Sequence, residues 1–124
     1  MIELFDEHGK ALGFIDGGIV LDKKRKPAGK IDPDAIRDKN GEIVLNITSD
    51  GKISHVDEEP GSQGYVKAGK IFDSADGLLY AYQQKTGEVI DETGGTRVVV
   101  KGDTSKFADR ELVGMATIFF ELFA

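Results

Sequence analysis

The feature that most constrains the fold is a sequence motif that returns about every sixteen residues. In residues 4–15 the motif begins with Leu4 and Asp6, which are two positions apart. Gly9 follows three positions after Asp6, and Gly-Phe-Ile ends the motif at residues 13–15. The same order recurs in 20–31, in part in 36–47 and, after a three-residue slip of register around 49–51, in 64–73. Looser copies follow, and we count six units. Self-similarity at a fixed short period indicates one small supersecondary unit built several times.

A second spacing supports the repeat. Three Gly–Asp pairs are nine residues apart, namely Gly13 and Asp22, Gly29 and Asp38, and Gly64 and Asp73. The two last units keep a turn glycine but replace the second Gly of the motif, with Tyr80 in one and Val98 in the other.

Each unit is predicted to form two short strands. Apolar and polar residues alternate, which is the pattern of a pleated strand. The Asp-x-x-Gly segment predicts a tight turn, because Asp accepts backbone hydrogen bonds two residues on and Gly tolerates a positive φ. A single hairpin cannot bury its apolar face, so about a dozen strands must form a closed ring or a two-sheet stack. We expect closure, because it removes exposed strand edges.

The C-terminal segment has a different character and predicts a helix. From Thr104 onward glycine is absent until Gly114, and Asp103, Thr104 or Ser105 can cap the helix. Its second half is apolar almost all round, which favours burial on several sides. We therefore expect one domain, with a β-hairpin repeat in 1–103 and a helix within 104–124 that plugs or covers it. Packing of the helix on a second copy is the main alternative, and binding to a membrane surface is a lesser one.

Composition restricts the classes of partner. The net charge is −6, which disfavours nucleic acid as a partner. The basic run Lys23–Lys26 lies where the repeat places a turn, so a solvated turn is favoured over an anion site. Cysteine is absent, which fits a reducing compartment. The N-terminus reads as a strand rather than a secretory signal, and no apolar run is long enough to span a bilayer, so we expect a cytoplasmic protein without membrane contact.

Several segments resemble ligand sites, and none predicts a cofactor or a metal. Residues 64–71 nearly match a phosphate-binding loop, but Ile71 lacks the hydroxyl for Mg²⁺ and no helix follows. Residues 38–42 and 73–77 resemble the start of a calcium loop without its later acidic ligands. His8 and His55 have no second ligand at metal spacing.

Phe14 and Tyr65 occupy equivalent positions of the repeat, next to a glycine. We expect both to fill the same packing niche, and the core is favoured over an exposed stacking platform.

The repeat resembles that of the bacterial β-flower proteins, small domains in which short β-hairpins radiate around a pseudo-symmetric centre. The pattern apolar-x-Asp-x-x-Gly-x-x-x-Gly-[Phe/Tyr/Lys]-[Ile/Val] carries the resemblance, which extends over about residues 2–100 and excludes the helix. Aromatic-rich members carry Trp, whereas this chain has none. The resemblance implies the hairpin fold and no particular activity.

For function, the sequence favours a non-enzymatic binding or scaffold module of unknown ligand, with self-association through the C-terminal helix as an option. Regular repeats without a unique polar cluster are typical of packing rather than catalysis. The alternative is a small enzyme with an acidic site assembled from several repeats near residues 48–64, where the register slips. That segment contains the ionisable residues Asp50, His55, Asp57, Glu58 and Glu59. No catalytic residue is predicted beyond this region.

Overall fold

Twelve short antiparallel strands form a closed barrel in the computed structural model, which describes residues 1–124. The strands are Ile2–Phe5 (β1), Ala11–Asp16 (β2), Ile19–Asp22 (β3), Pro27–Ile31 (β4), Ala35–Asp38 (β5), Ile43–Ile47 (β6), Lys52–Ser54 (β7), Gly64–Lys67 (β8), Lys70–Asp73 (β9), Leu78–Gln83 (β10), Glu88–Asp91 (β11) and Thr96–Gly102 (β12). Each strand pairs with its neighbours in sequence, and β1 pairs with β12. The predicted all-β closed assembly with one C-terminal helix is confirmed.

Five of the connections are built on the same Asp turn. In the first, Asp6 Oδ1 accepts hydrogen bonds from the backbone N–H groups of His8 (2.8 Å) and Lys10 (2.9 Å). The same two bonds, to the second and fourth residues on, are made by Asp22, Asp38, Asp73 and Asp91. Each carboxylate accepts hydrogen bonds from two backbone N–H groups that the sheet would leave without partners. These bonds fix the conformation of the turn.

The Asp turns all lie at one end of the barrel. They follow the odd-numbered strands β1, β3, β5, β9 and β11, and in an antiparallel ring such connections share one end. The β7–β8 loop, residues 55–63, is the sixth connection there. We call this the Asp end and the other the opposite end.

The Gly–Asp pairs that are nine residues apart are cross-strand neighbours. Gly13 faces Asp22, Gly29 faces Asp38 and Gly64 faces Asp73. A Cβ on Gly13 would lie 2.2 Å from the carbonyl oxygen of Leu21 and 2.6 Å from the ring of Phe119. Glycine at this position therefore allows a close approach of strand to strand and of helix to strand.

Five pairings contain a β-bulge, and two of the bulges immediately precede Gly13 and Gly29. The pairing register skips one residue on each even-numbered strand concerned, and the residues skipped are Leu12, Ala28, Val44, Leu79 and Arg97. Bulges increase the local twist and bend of a strand, which helps twelve short strands to close.

The barrel interior is apolar. Each odd-numbered strand contains a completely buried apolar residue. These residues are Leu4, Val20, Ile36, Ile53, Ile71 and Val89. They belong to a single core cluster that also contains helix residues.

The helix α1 spans Asp109–Phe120 and is preceded by a 3₁₀ turn at Thr104–Lys106. The predicted caps Asp103, Thr104 and Ser105 do not cap it. Its N-cap is Ala108, whose backbone N–H donates to the Glu111 side chain (3.0 Å). At the other end Glu121 adopts a left-handed conformation (φ 53°) and Leu122 N–H bonds to Ala116 O, which closes the helix with a Schellman-type turn.

The helix lies along the inside of the barrel. It starts at the opposite end, where Asp109 accepts a bond from Gly69 N–H (2.9 Å) in the β8–β9 turn. It finishes at the Asp end, where His55 Nε2 donates to Phe123 O (2.6 Å). Six consecutive residues, Leu112–Thr117, are buried, and consecutive positions on a helix point in every direction. The barrel therefore surrounds the helix, which fills the lumen. Neither this helix nor the 3₁₀ turn is long and apolar enough to cross a membrane.

Phe14 and Tyr65 lie on the outer face of the barrel and are not part of the core cluster, but Phe14 is buried (9% exposed) and Tyr65 is half-buried. Each is covered by the fourth residue of the next Asp turn: Arg25 lies 4.5 Å above the Phe14 ring, and Tyr65 donates to Asp76 (2.7 Å). Both covering residues have a positive φ, 64° and 65°, where other Asp turns have Gly. The side-chain contact explains why a strained residue stands in place of glycine.

Candidate functional site

A cavity of about 400 Å³ opens at the Asp end between the end of the helix and strands β9 to β12. Its floor is formed by the helix terminus and the residues after it, and its wall by β10, β12 and two Asp turns. The lining residues are Asp73, Leu79, Tyr80, Asp91, Glu92, Arg97, Phe120, Glu121, Leu122 and Phe123. Its volume falls within the range of small-molecule sites. We call it the Asp-end cavity.

Arg97 breaks the pattern of the barrel at this cavity. It is the bulge residue of β12, and the other four bulge positions hold Leu, Ala, Val and Leu, all packed against the core. The Arg97 guanidinium lies 4.5 Å from the centroid of the Phe120 ring, and Nη1 is 3.9 Å from Asp91 Oδ2. Its side chain remains 41% exposed. A charged residue thus stands, where the helix ends, at a position that is apolar at the other four bulges.

Aromatic rings form the apolar part of the cavity. Tyr80 and Phe120 are stacked with their centroids 6.0 Å apart at 22°. Burial raises the pKa of Tyr80 above its ordinary value, and the nearby Arg97 partly offsets this. The phenol therefore stays protonated at neutral pH and presents a neutral aromatic surface.

The charged part of the cavity is acidic. The lining contains four carboxylates and one guanidinium, so it carries a net charge of −3. The Asp91 carboxylate has a lowered pKa, first because of its hydrogen bond from the Thr93 hydroxyl (2.6 Å). The helix C-terminus adds the negative end of the helix dipole. The electrostatic environment therefore favours cations, and Asp91 stays ionised well below neutral pH.

The structure separates Asp50 from the other acidic residues of segment 48–64. Asp50 lies at the opposite end, in the β6–β7 turn, where it accepts a hydrogen bond from the Thr48 hydroxyl. The other four ionisable residues lie in the β7–β8 loop at the Asp end. Glu58 accepts bonds from His55 N–H (2.7 Å), Ser62 Oγ (2.9 Å) and Gln63 Nε2 (3.1 Å), and these bonds, the first above all, lower its pKa. Glu58 thus closes the loop.

The remaining segments singled out from the sequence serve as turns and hairpins. Residues 64–71 form the β8–β9 hairpin. Residues 38–42 and 73–77 are two of the Asp turns, and each uses its first carboxylate on backbone N–H groups. No group of three or more His, Cys, Asp or Glu side chains has an arrangement that could hold a metal ion.

No protein-family model, curated protein or solved structure matches the chain. The site must therefore be interpreted from its own geometry.

Sequence reasoning missed the Asp-end cavity. Its residues come from β9–β10, β11–β12 and the helix terminus, which are distant in sequence. One signal was available. Val98 stands at the place of the second Gly of the repeat, so Arg97 stands at the place of Leu12, and a charged residue there departs from the apolar pattern.

Proposed function

We propose that the chain is a non-enzymatic binding module whose ligand occupies the Asp-end cavity. The observation that carries the proposal is Arg97, the one bulge residue that is charged, at the cavity where the helix ends. Departure from a regular packing pattern at a concave site is typical of a binding site.

The use of the carboxylates favours binding over catalysis. Asp91 Oδ1 accepts hydrogen bonds from Thr93 N–H, the Thr93 hydroxyl and Gly95 N–H, so it is held as part of the turn. Its lowered pKa makes it a poor proton donor at neutral pH. In the enzyme alternative, Asp50 could not act together with the acids of the β7–β8 loop, because it lies at the opposite end of the barrel.

Self-association stays a prediction. The helix residues Leu112, Val113 and Met115 are covered by the chain's own barrel, so a second copy would have to bind another surface. Native mass spectrometry of the full chain measures the oligomeric state directly. The resemblance to the β-flower proteins also stays a prediction, and it concerns the hairpin architecture.

The binding proposal is tested by NMR. A ¹⁵N-labelled sample of the full chain is titrated with a mixed set of small cationic, neutral and anionic fragments. We expect saturable shifts of backbone amides that cluster around Tyr80, Arg97 and Phe120. Fragments that bind only at the opposite end, or none that binds at all, would refute the assignment of the site.

A further inference from the structure

The Asp-end cavity has the chemistry of a receptor for organic cations. We propose that its ligand is an ammonium or guanidinium group carried on an apolar stem. This inference rests on the proposed function and specifies the class of ligand.

The charge of the cavity and its surroundings is complementary to a cation. The lining carries a net charge of −3, and the neighbouring β7–β8 loop adds Asp57, Glu58 and Glu59 without any Lys or Arg. The exposed side chains Glu92 and Glu121 stand on the rim. A cation approaching this side of the barrel is attracted, whereas a carboxylate or phosphate is repelled.

The cavity already accommodates a cation of its own. Arg97 places its guanidinium over the Phe120 ring, with Asp91 beside it. An aromatic face with a flanking carboxylate is the environment in which organic cations are stabilised. Tyr80 and Phe123 supply further aromatic surface for the stem of the ligand.

Two apolar residues at the same end are exposed outside the cavity. Leu78, at the start of β10, is 39% exposed, and Val56, in the β7–β8 loop, is 48% exposed. The stem of an amphiphilic cation would find apolar contacts inside the cavity with Leu79 and Leu122. The source can be a free amine or the Lys or Arg side chain of another protein, since both present the same chemistry.

The test uses three probes with similar aryl bodies and different charges. Phenethylamine is cationic, 2-phenylethanol is neutral and 3-phenylpropionate is anionic. Each is titrated into the ¹⁵N-labelled full chain at low ionic strength. We expect phenethylamine to shift the amides around Arg97 and Phe120 at the lowest concentration, and to bind more weakly at about 1 M salt, where the Debye length is about 3 Å.

Single substitutions provide a second test, because the direction in which each changes phenethylamine affinity is specified. Arg97→Leu installs the side chain found at bulges Leu12 and Leu79 and removes the single positive charge of the lining. It should strengthen phenethylamine binding by roughly two- to fivefold, the range that exposed ion pairs supply. Glu92→Gln should weaken it by a similar factor. Glu7→Gln, an equal charge change in the β1–β2 turn outside the cavity, is the matched control and should leave affinity unchanged.

The outcomes separate this inference from the proposed function. Neutral or anionic probes that bind the cavity as well as phenethylamine, or an Arg97→Leu variant that loses cation affinity, would overturn the cation assignment and leave the binding site standing. No shift around the cavity with any probe would overturn both. A lysine derivative blocked at both backbone ends, tested alongside phenethylamine, distinguishes a protein side chain from a free amine as the source.

Discussion

Gly13 offers the sharpest test of how closely the strands and the helix approach each other. A Cβ added there would meet the backbone oxygen of Leu21 at 2.2 Å, whereas ordinary contacts begin near 3.4 Å. The strands would have to separate by about 1 Å at a place where paired strands are about 4.8 Å apart. The Phe119 ring, 2.6 Å from the same Cβ, would also have to move.

We expect Gly13→Ala to reduce the free energy of unfolding by about 3 kcal/mol, the upper part of the usual range for overpacking, because a backbone carbonyl moves less easily than a side chain. In a domain of this size that corresponds to a fall in Tm of about 10 °C. Urea unfolding followed by far-UV circular dichroism measures the change, with an unaltered denaturant slope as the sign of an intact two-state transition.

Gly95→Ala is the matched control. Gly95 also lies at the Asp end, has no positive φ, and its Cβ would meet nothing closer than 3.6 Å. Loss of a flexible glycine without strain should change stability by about 0 to +1 kcal/mol. If Gly13→Ala and Gly95→Ala had free energies of unfolding within about 1 kcal/mol of each other, the close approach described at Gly13 would be refuted.

Three further predictions concern single side chains. Tyr82→Phe should stabilise the protein by about 1 kcal/mol in urea unfolding, because the Tyr82 hydroxyl is buried without a hydrogen-bond partner; a loss of stability would show that the hydroxyl is satisfied. Arg25→Gly should be more stable than Arg25→Ala by about 1 kcal/mol, since both lose the contact with Phe14 and only Gly relieves the positive φ; equal Tm values would contradict this. The backbone N–H of Lys26 lowers the pKa of Asp22 below 3.8, so its stabilisation is present above pH 3.8 and is lost as the pH falls through the lower folded-state pKa. Between about pH 5 and pH 2.5 the Tm of Asp22→Asn should therefore fall less than that of the parent, and parallel curves would argue against the linkage.

The ring of hairpins was predictable because its determinants are local. The Asp6 carboxylate and the conformational freedom of Gly9 specify a turn, and the alternation of apolar and polar residues specifies the strands on either side. The spacing between Gly13 and Asp22 also indicates a cross-strand pair. In a hairpin whose two-residue loop is Gly17-Gly18, residues at the same distance before and after the loop lie opposite each other. Closure followed from the need to cover strand edges.

The start of the helix and the Asp-end cavity were not predictable in the same way. Asp103 is a good capping residue, but the chain leaves β12 there and must cross the opposite end before it enters the lumen. Phe107, buried against the Tyr82 ring at 4.8 Å, fixes that crossing, so tertiary packing decides that the helix begins at Asp109. The cavity likewise depends on where Phe120 arrives relative to Arg97, which no local pattern specifies.

The pairing of β1 with β12 has a consequence for the order of events during synthesis. Ile2 faces Gly102, so the first strand must wait for about 100 further residues before its partner exists, a delay of about 5–20 s at usual elongation rates. The helix that fills the lumen is made later still. Until then the nascent chain can form hairpins but has neither a closed ring nor a filled interior, so the apolar faces of its strands stay exposed. The final fifth of the chain thus converts a row of separate hairpins into one cooperative structure.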